Sequence, residues 1–350
     1  MTLDEISIIA VYSAMAVYAI AFIAYSIDLA KRSAASADVA SASGASEPVA
    51  EEVGVLAAAP TAAAGAATSA AGGGGVAGRD RASKGGDATS APVVYGRSPV
   101  LRVAVAMTVI AWLLHLGATV LRGIDAERVP WANMYEFALT GTLVVTTVFL
   151  VVLVVSKTDL RFLGTFITGL VLVLLGVATV NFYVSVVPLP PALQSVWLVI
   201  HVFVATTSVG FFALGFALSV VQLMQARREA VAATADAMKK SFLATLPSAA
   251  SLENLAYRIN IIGFILWTFT LMAGAIWAEK AWGRYWGWDT KEVWTFIIWV
   301  VYAGYIHARA TRGWRGTRSA WLAIIGFSAV LFNFTVVNLF FKGLHAYSGL

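Results

Sequence analysis

Between residues 282 and 292 the chain reads Trp282-Gly283-Arg284-Tyr285-Trp286-Gly287-Trp288-Asp289-Thr290-Lys291-Glu292. Its histidines are few: His115, His201, His307 and His345. A glycine-spaced cluster of indole and phenol rings is able to close over something flat, and each aromatic pair contributes about 0.5–1.5 kcal/mol beyond simple burial. Two neutral imidazoles on opposite faces of a planar macrocycle are a common way of holding haem iron in six-coordination. Both features have simpler explanations. Trp and Tyr collect at bilayer interfaces as an anchoring belt, and a lone membrane histidine is more often a helix–helix hydrogen bond than a ligand. A belt needs only scattered rings, however, and two histidines that converge on such a cluster are no longer lone.

The elements that must position these groups are membrane helices. Hydrophobic residues make up 59% of the chain and charged residues 12%, against about 25% charged in soluble proteins; mean hydropathy is +0.80. A spanning helix takes roughly 20 mostly apolar residues. Candidates fall near 6–26, 99–121, 137–155, 162–186, 197–224, 259–278, 293–308 and 319–341, so the expected fold is an all-α polytopic bundle of about eight transmembrane helices. The first apolar run lacks a basic leader and an obvious cleavage site, and reads as a retained helix. The expected organisation is an N-terminal helix at 1–32, a disordered cytoplasmic Ala/Gly/Ser linker at 33–97 and a seven-helix domain at 98–350. Residues 227–258 read as a basic cytoplasmic loop with a surface-lying amphipathic helix. Cysteine is absent, which excludes disulfides, thiolate metal sites and cysteine redox chemistry within this chain.

The formal charge of +5 follows topology and does not point to nucleic acid. With the N-terminus outside, 18 of the 24 Lys and Arg residues fall in cytoplasmic segments, as the positive-inside rule requires. The exceptions are Arg122, Arg128, Lys280, Arg284, Lys291 and Lys342. This orientation puts both termini, the tryptophan loop, His201 and His345 at the extracytoplasmic face. His307 then lies near the inner end of its helix, roughly 21 Å from the loop; it reads either as a ligand to a second haem completed by a partner subunit or as a packing residue. Arg128, Arg284 and Lys291 are cations suited to haem propionates. Asp289 and Glu292 read as a capping box for the next helix or as site groups, Glu136 as a helix-start charge or a pocket wall, and His115 as a packing or proton-pairing residue.

At these residues the sequence resembles the haem-handling family of system II cytochrome c biogenesis, known as CcsA, ResC or CcsB. The tryptophan-rich WWD signature corresponds to Trp282–Glu292. Further matches are the stretch from Pro130 to Glu136, the stretch from Leu193 to Val202, Tyr305-Ile306-His307-Ala308-Arg309 and Gly343-Leu344-His345-Ala346-Tyr347. The likeness covers roughly Leu101 to Leu350. It implies that His201 and His345 are the external haem-iron ligands and that His307 is an intramembrane haem histidine. Trp282, Arg284, Tyr285, Trp286, Trp288, Asp289 and Arg128 would complete the cofactor-binding set. It also implies haem b as the substrate, a ResB-type membrane subunit and apocytochrome c as partners, a thioredoxin-like thiol reductant nearby, and a multi-pass location in the plasma membrane. The implied activity is that of a cytochrome c synthase component, which delivers haem outside and presents it for thioether attachment to CxxCH. No nucleophile or general base of this chain is required by that chemistry. A haem transporter without ligase activity, a haem or quinone redox subunit and a structural scaffold are the alternatives; the last leaves the tryptophan loop unexplained.

Overall fold

In the computed structural model the described residues, 1–44, 98–232, 241–311, 313–341 and 343–345, are helical with short connections. The helices are α1 (Leu3–Gly44), α2 (Pro99–Asp125), α3 (Met134–Val155), α4 (Gly164–Asn181), α5 (Val196–Ala232), α6 (Ala249–Trp282), α7 (Thr290–Thr311), α8 (Thr317–Phe334) and the single-turn α9 (Val336–Phe340). Among the described residues, seven helical segments are long and apolar enough to cross a bilayer. The protein is an all-α, multi-pass membrane bundle.

Three expectations change. The eighth expected span, 293–308, lies in α7, which is not among those seven: Trp294, Trp299, Tyr302 and Tyr305 each carry a polar atom and lower its hydropathy. Even so, α7 packs alongside α6. Its first turn lies at the tryptophan loop, and its last places Arg309 3.0 Å from Glu253 near the start of α6. Helix α1 does not stop near Arg32 but continues to Gly44, because Ala and Ser sustain a helix where Gly and Pro do not. The remainder of the expected linker, 45–97, lies outside the described residues, as do 233–240, Arg312, Lys342 and 346–350. No separate amphipathic helix fills the described part of 227–258; α5 and α6 simply extend into it, joined in part by a 3-10 turn at Phe242–Thr245.

Helix α5 is the centre of the bundle and packs on α3, α6 and α8, while α1 packs on α2 and α4. Phe212 of α5 stacks on Tyr302 of α7 with centroids 3.7 Å apart. His115 is a packing residue: fully buried, it donates from Nε2 to the Leu139 carbonyl at 2.9 Å.

The end of the bundle that carries the tryptophan loop is clamped by a buried ionic cluster. The Arg122 guanidinium, wholly buried, reaches Asp4 at 2.6 Å and Glu136 at 3.0 Å and donates to the Val184 carbonyl at 2.8 Å. Arg128 reaches the other Glu136 oxygen at 2.7 Å. One guanidinium, that of Arg122, thereby ties the start of α1, the end of α2 and the start of α3 to the chain beyond α4. A lone buried charge is costly; a charge with this many partners holds several elements in register.

Candidate functional site

His201 sits on the second turn of α5, facing α6. The Thr270 carbonyl can only accept, so His201 Nδ1, 3.0 Å away, carries the hydrogen. Nε2 is left with a lone pair, the form in which imidazole binds a metal. Gly274, one turn after Thr270, makes this approach possible. A Cβ there would lie 2.7 Å from His201 Cε1, inside contact distance. The His201 ring also lies nearly parallel to Trp277, at 15° with centroids 5.9 Å apart.

His345 reaches the same tryptophan from the C-terminal segment. Its ring meets Trp277 at 5.4 Å and Trp282 at 4.8 Å, both edge-on. Its Nδ1 is 2.7 Å from Asp289 Oδ2, and the Leu344 N–H donates to Asp289 Oδ1 at 3.2 Å. The hydrogen bond from His345 favours the ionised form and, against the opposing effect of burial, holds the Asp289 carboxyl below the usual carboxylate range. The carboxylate can only accept, so Nδ1 carries the hydrogen, and in the neutral imidazole Nε2 is the nitrogen left with a lone pair. Because both imidazoles lie against Trp277, their separation is bounded by the sum of the two centroid distances.

Asp289 also starts α7. The Lys291 N–H points back to its Oδ2 at 3.4 Å, while Glu292 Oε2 accepts from the N–H groups of Asp289 at 3.1 Å and Gly287 at 2.8 Å. This is the capping-box pattern expected of Asp289 and Glu292, and it gives the aromatic loop a fixed exit angle. Gly283 ends α6 at φ +72°, the left-handed position that glycine takes without strain. Trp288 adopts φ +60° without glycine's freedom, and its ring is 78% exposed. An indole held outward on a strained backbone is unusual for a membrane-edge loop.

Of the residues singled out from sequence, His201, His345, Trp282, Tyr285, Trp286 and Asp289 come together. Tyr285 and Trp286 line one pocket with both histidines. Arg128 does not join them, because Glu136 holds its guanidinium. Arg284 folds over Gly287. Trp288 points outward against the edge of Trp286, with centroids 5.8 Å apart. His307 is exposed on α7 at the far end. Sequence reasoning missed Trp277, Thr270, Gly274 and Asn338. A Gly three residues before a Trp near the end of a spanning helix was a usable signal for the first and third. Asn338 carried none. The helix breaks at Thr335 (φ −92°, ψ −70°), and the α9 turn that follows brings Asn338 to accept from Lys291 Nζ.

Below the histidines a cavity of about 150 Å³ runs into the bundle between α3, α5 and α8, with His201 and Lys291 at its rim. A second, of about 110 Å³, lies between the start of α3 and the two histidines.

Comparisons with known proteins give the family. Residues 131–345 match the family model described as Cytochrome C assembly protein. The chain is 34% identical over 244 residues to the cytochrome c biogenesis protein CcsA of Guillardia theta, covering 65% of this chain and 80% of that one. It is 34% identical over 273 residues to CcsA of Prochlorococcus marinus, covering 71% and 84%. The solved structure of the cytochrome c haem lyase CcmF superposes over the whole of this chain with a TM-score of 0.61 at 14% identity. The chain spans about half the length of that protein, 49%, and the likeness is one of fold alone. The family model covers more than half of the chain, and the chain belongs to the cytochrome c assembly protein family.

Proposed function

We propose that this chain is the membrane component of a system II cytochrome c synthase, which receives haem b and presents it at the extracytoplasmic face of the plasma membrane. The observation that carries this reading is the pairing of His201 and His345 about Trp277, each with Nδ1 committed to an oxygen and Nε2 left to ligate. Haem is the substrate here, held by two imidazoles that also favour a particular iron potential. Tyr285, Trp286 and Trp282 supply a surface for the porphyrin plane, and Trp288 extends it outward.

Thioether formation adds each CxxCH thiol of apocytochrome c across a haem vinyl group. The S–H bond and the vinyl C=C π bond break, a C–S and a C–H bond form, and no external oxidant or reductant is consumed. What the chain contributes is placement, which converts a bimolecular encounter into an oriented one. The thiols must arrive reduced, which calls for a thioredoxin-like reductant outside this cysteine-free chain. In this reading His307, exposed on α7, would share a second haem with a ResB-type subunit. Replacing His201 or His345 with Ala tests the reading: holocytochrome c formation is expected to cease, with partial rescue by added imidazole. Full activity in both variants would refute it.

A further inference from the structure

The pocket between the start of α3 and the two histidines has a chemistry of its own. Trp131 and Asn133 line it beside His201, Lys291 and His345, and none of its lining residues is acidic. Asn133 Oδ1 accepts from the Glu136 N–H at 2.9 Å as the cap of α3, which orients the amide and leaves Nδ2 as the remaining donor. Nδ2 is buried without a partner among the described residues, and so is Trp131 Nε1. Asn133 as a whole is 6% exposed. Buried donors without acceptors are rare, and each one calls for a ligand, an ion or a water. Here the two residues that carry these donors line one pocket with a lysine whose ammonium is held by Asn338. The nearby arginines do not compete for the same ligand: Glu136 and Asp4 occupy Arg122, and Glu136 occupies Arg128.

Three donors, one of them cationic, with no carboxylate on the wall make an acceptor site for an anion. The volume, about 110 Å³, exceeds what one water needs, roughly 30 Å³ of liquid. We propose that Trp131 Nε1, Asn133 Nδ2 and Lys291 Nζ form a carboxylate subsite, which grips a propionate arm of the porphyrin bound between His201 and His345. This deepens the reading proposed above and rests on it. Two imidazoles fix the porphyrin plane but leave it free to turn about the iron–nitrogen axis. A carboxylate anchored on the α3 side removes that rotation and turns the opposite, vinyl-bearing edge toward the tryptophan loop, where an incoming thiol has access. The ionic cluster around Glu136 then acquires a purpose. Glu136 Oε2 accepts from the Ala132 N–H at 2.9 Å and so holds the peptide that carries both orphan donors.

The test compares binding of haem and of haem dimethyl ester, which lacks free carboxylates, to the purified full chain, followed by the low-spin absorption band. The wild type is expected to prefer free haem by about tenfold or more, as suits charge-assisted hydrogen bonds. Lys291→Met keeps the side-chain stem and should shrink that preference. Asn133→Asp keeps the α3 cap, removes the donor and adds a negative charge, so it should erase or reverse the preference while leaving ester binding intact. Equal binding of the two porphyrins by the wild type, or an unaltered preference in both variants, overturns the subsite and leaves the two-histidine reading standing. A wild-type protein that gives a low-spin band with neither porphyrin overturns that reading, and the subsite with it.

Discussion

Asp289 Oδ2 lies 2.7 Å from His345 Nδ1, so the carboxylate that begins α7 also orients an imidazole 56 positions later in the chain. The same side chain receives the N–H groups of Lys291 and Leu344. It joins the aromatic loop to the C-terminal segment, and the two functions are separable by substitution. Ser at 289 keeps the cap but is too short to reach the ring. Asp289→Ser is expected to fold with wild-type thermal stability to within about 1 kcal/mol and to lose haem affinity by roughly 10- to 100-fold. Titration of purified protein with haem would show this. Unchanged affinity would mean that the carboxylate does not orient the ligand.

The same pair has a pH dependence whose sign follows from its chemistry. The Asp289 carboxyl is held below its ordinary value by the hydrogen bond from His345. Its contribution is therefore complete above the unfolded value of about 3.9 and is lost as pH falls through the depressed folded value. Release of the His345 segment from Trp277 and Trp282, followed by tryptophan fluorescence, should accordingly occur only on the acid side of about pH 4. Asp289→Ser should abolish the transition. A release on raising the pH from 5 to 8 would contradict this account.

Gly274 offers a steric test. An added methyl would meet His201 Cε1 at 2.7 Å and Nδ1 at 2.9 Å, and the ring has little room because Trp277 stacks beside it. Gly274→Ala should displace the imidazole and weaken haem binding by about 10- to 100-fold. Gly304→Ala on α7, where a Cβ meets nothing within 4 Å, should bind haem as the wild type does. Binding would be read from the same spectroscopic titration.

The helical architecture was legible in the sequence because a bilayer admits few alternatives to long apolar helices. The expected span at 293–308 falls short of the seven apolar spans because the Trp and Tyr residues of α7 carry polar atoms. The site was half legible. The histidines and the aromatic loop announce themselves by residue type. Trp277 is one apolar residue in an apolar helix, and only the folded chain shows that both imidazoles meet it. Arg128 illustrates the opposite difficulty. Its charge and loop position suit a propionate, but Glu136, eight residues on, captures it, and nothing local in the sequence gives the turn that brings them together.

The ionic cluster should dominate stability at this end of the bundle. Arg122→Met removes the guanidinium and leaves Asp4 without its 2.6 Å partner and Glu136 with Arg128 alone. A loss of roughly 3–5 kcal/mol is expected for breaking a buried pair, measured as denaturant or thermal unfolding in detergent. Arg122→Lys should recover little, since one ammonium cannot serve Asp4, Glu136 and the Val184 carbonyl together. Wild-type stability in Arg122→Met would show that the cluster is decorative.

The most direct measurement is the visible absorption spectrum of the reduced, purified wild-type protein beside that of the His201→Ala/His345→Ala double variant, each with and without added imidazole. The wild type should show the sharp low-spin bands of bis-histidine haem. The double variant should lose that external haem and regain part of the signal when imidazole replaces the missing ligands. A double variant whose low-spin spectrum matches the wild type in intensity and shape, with no response to imidazole, would contradict the account.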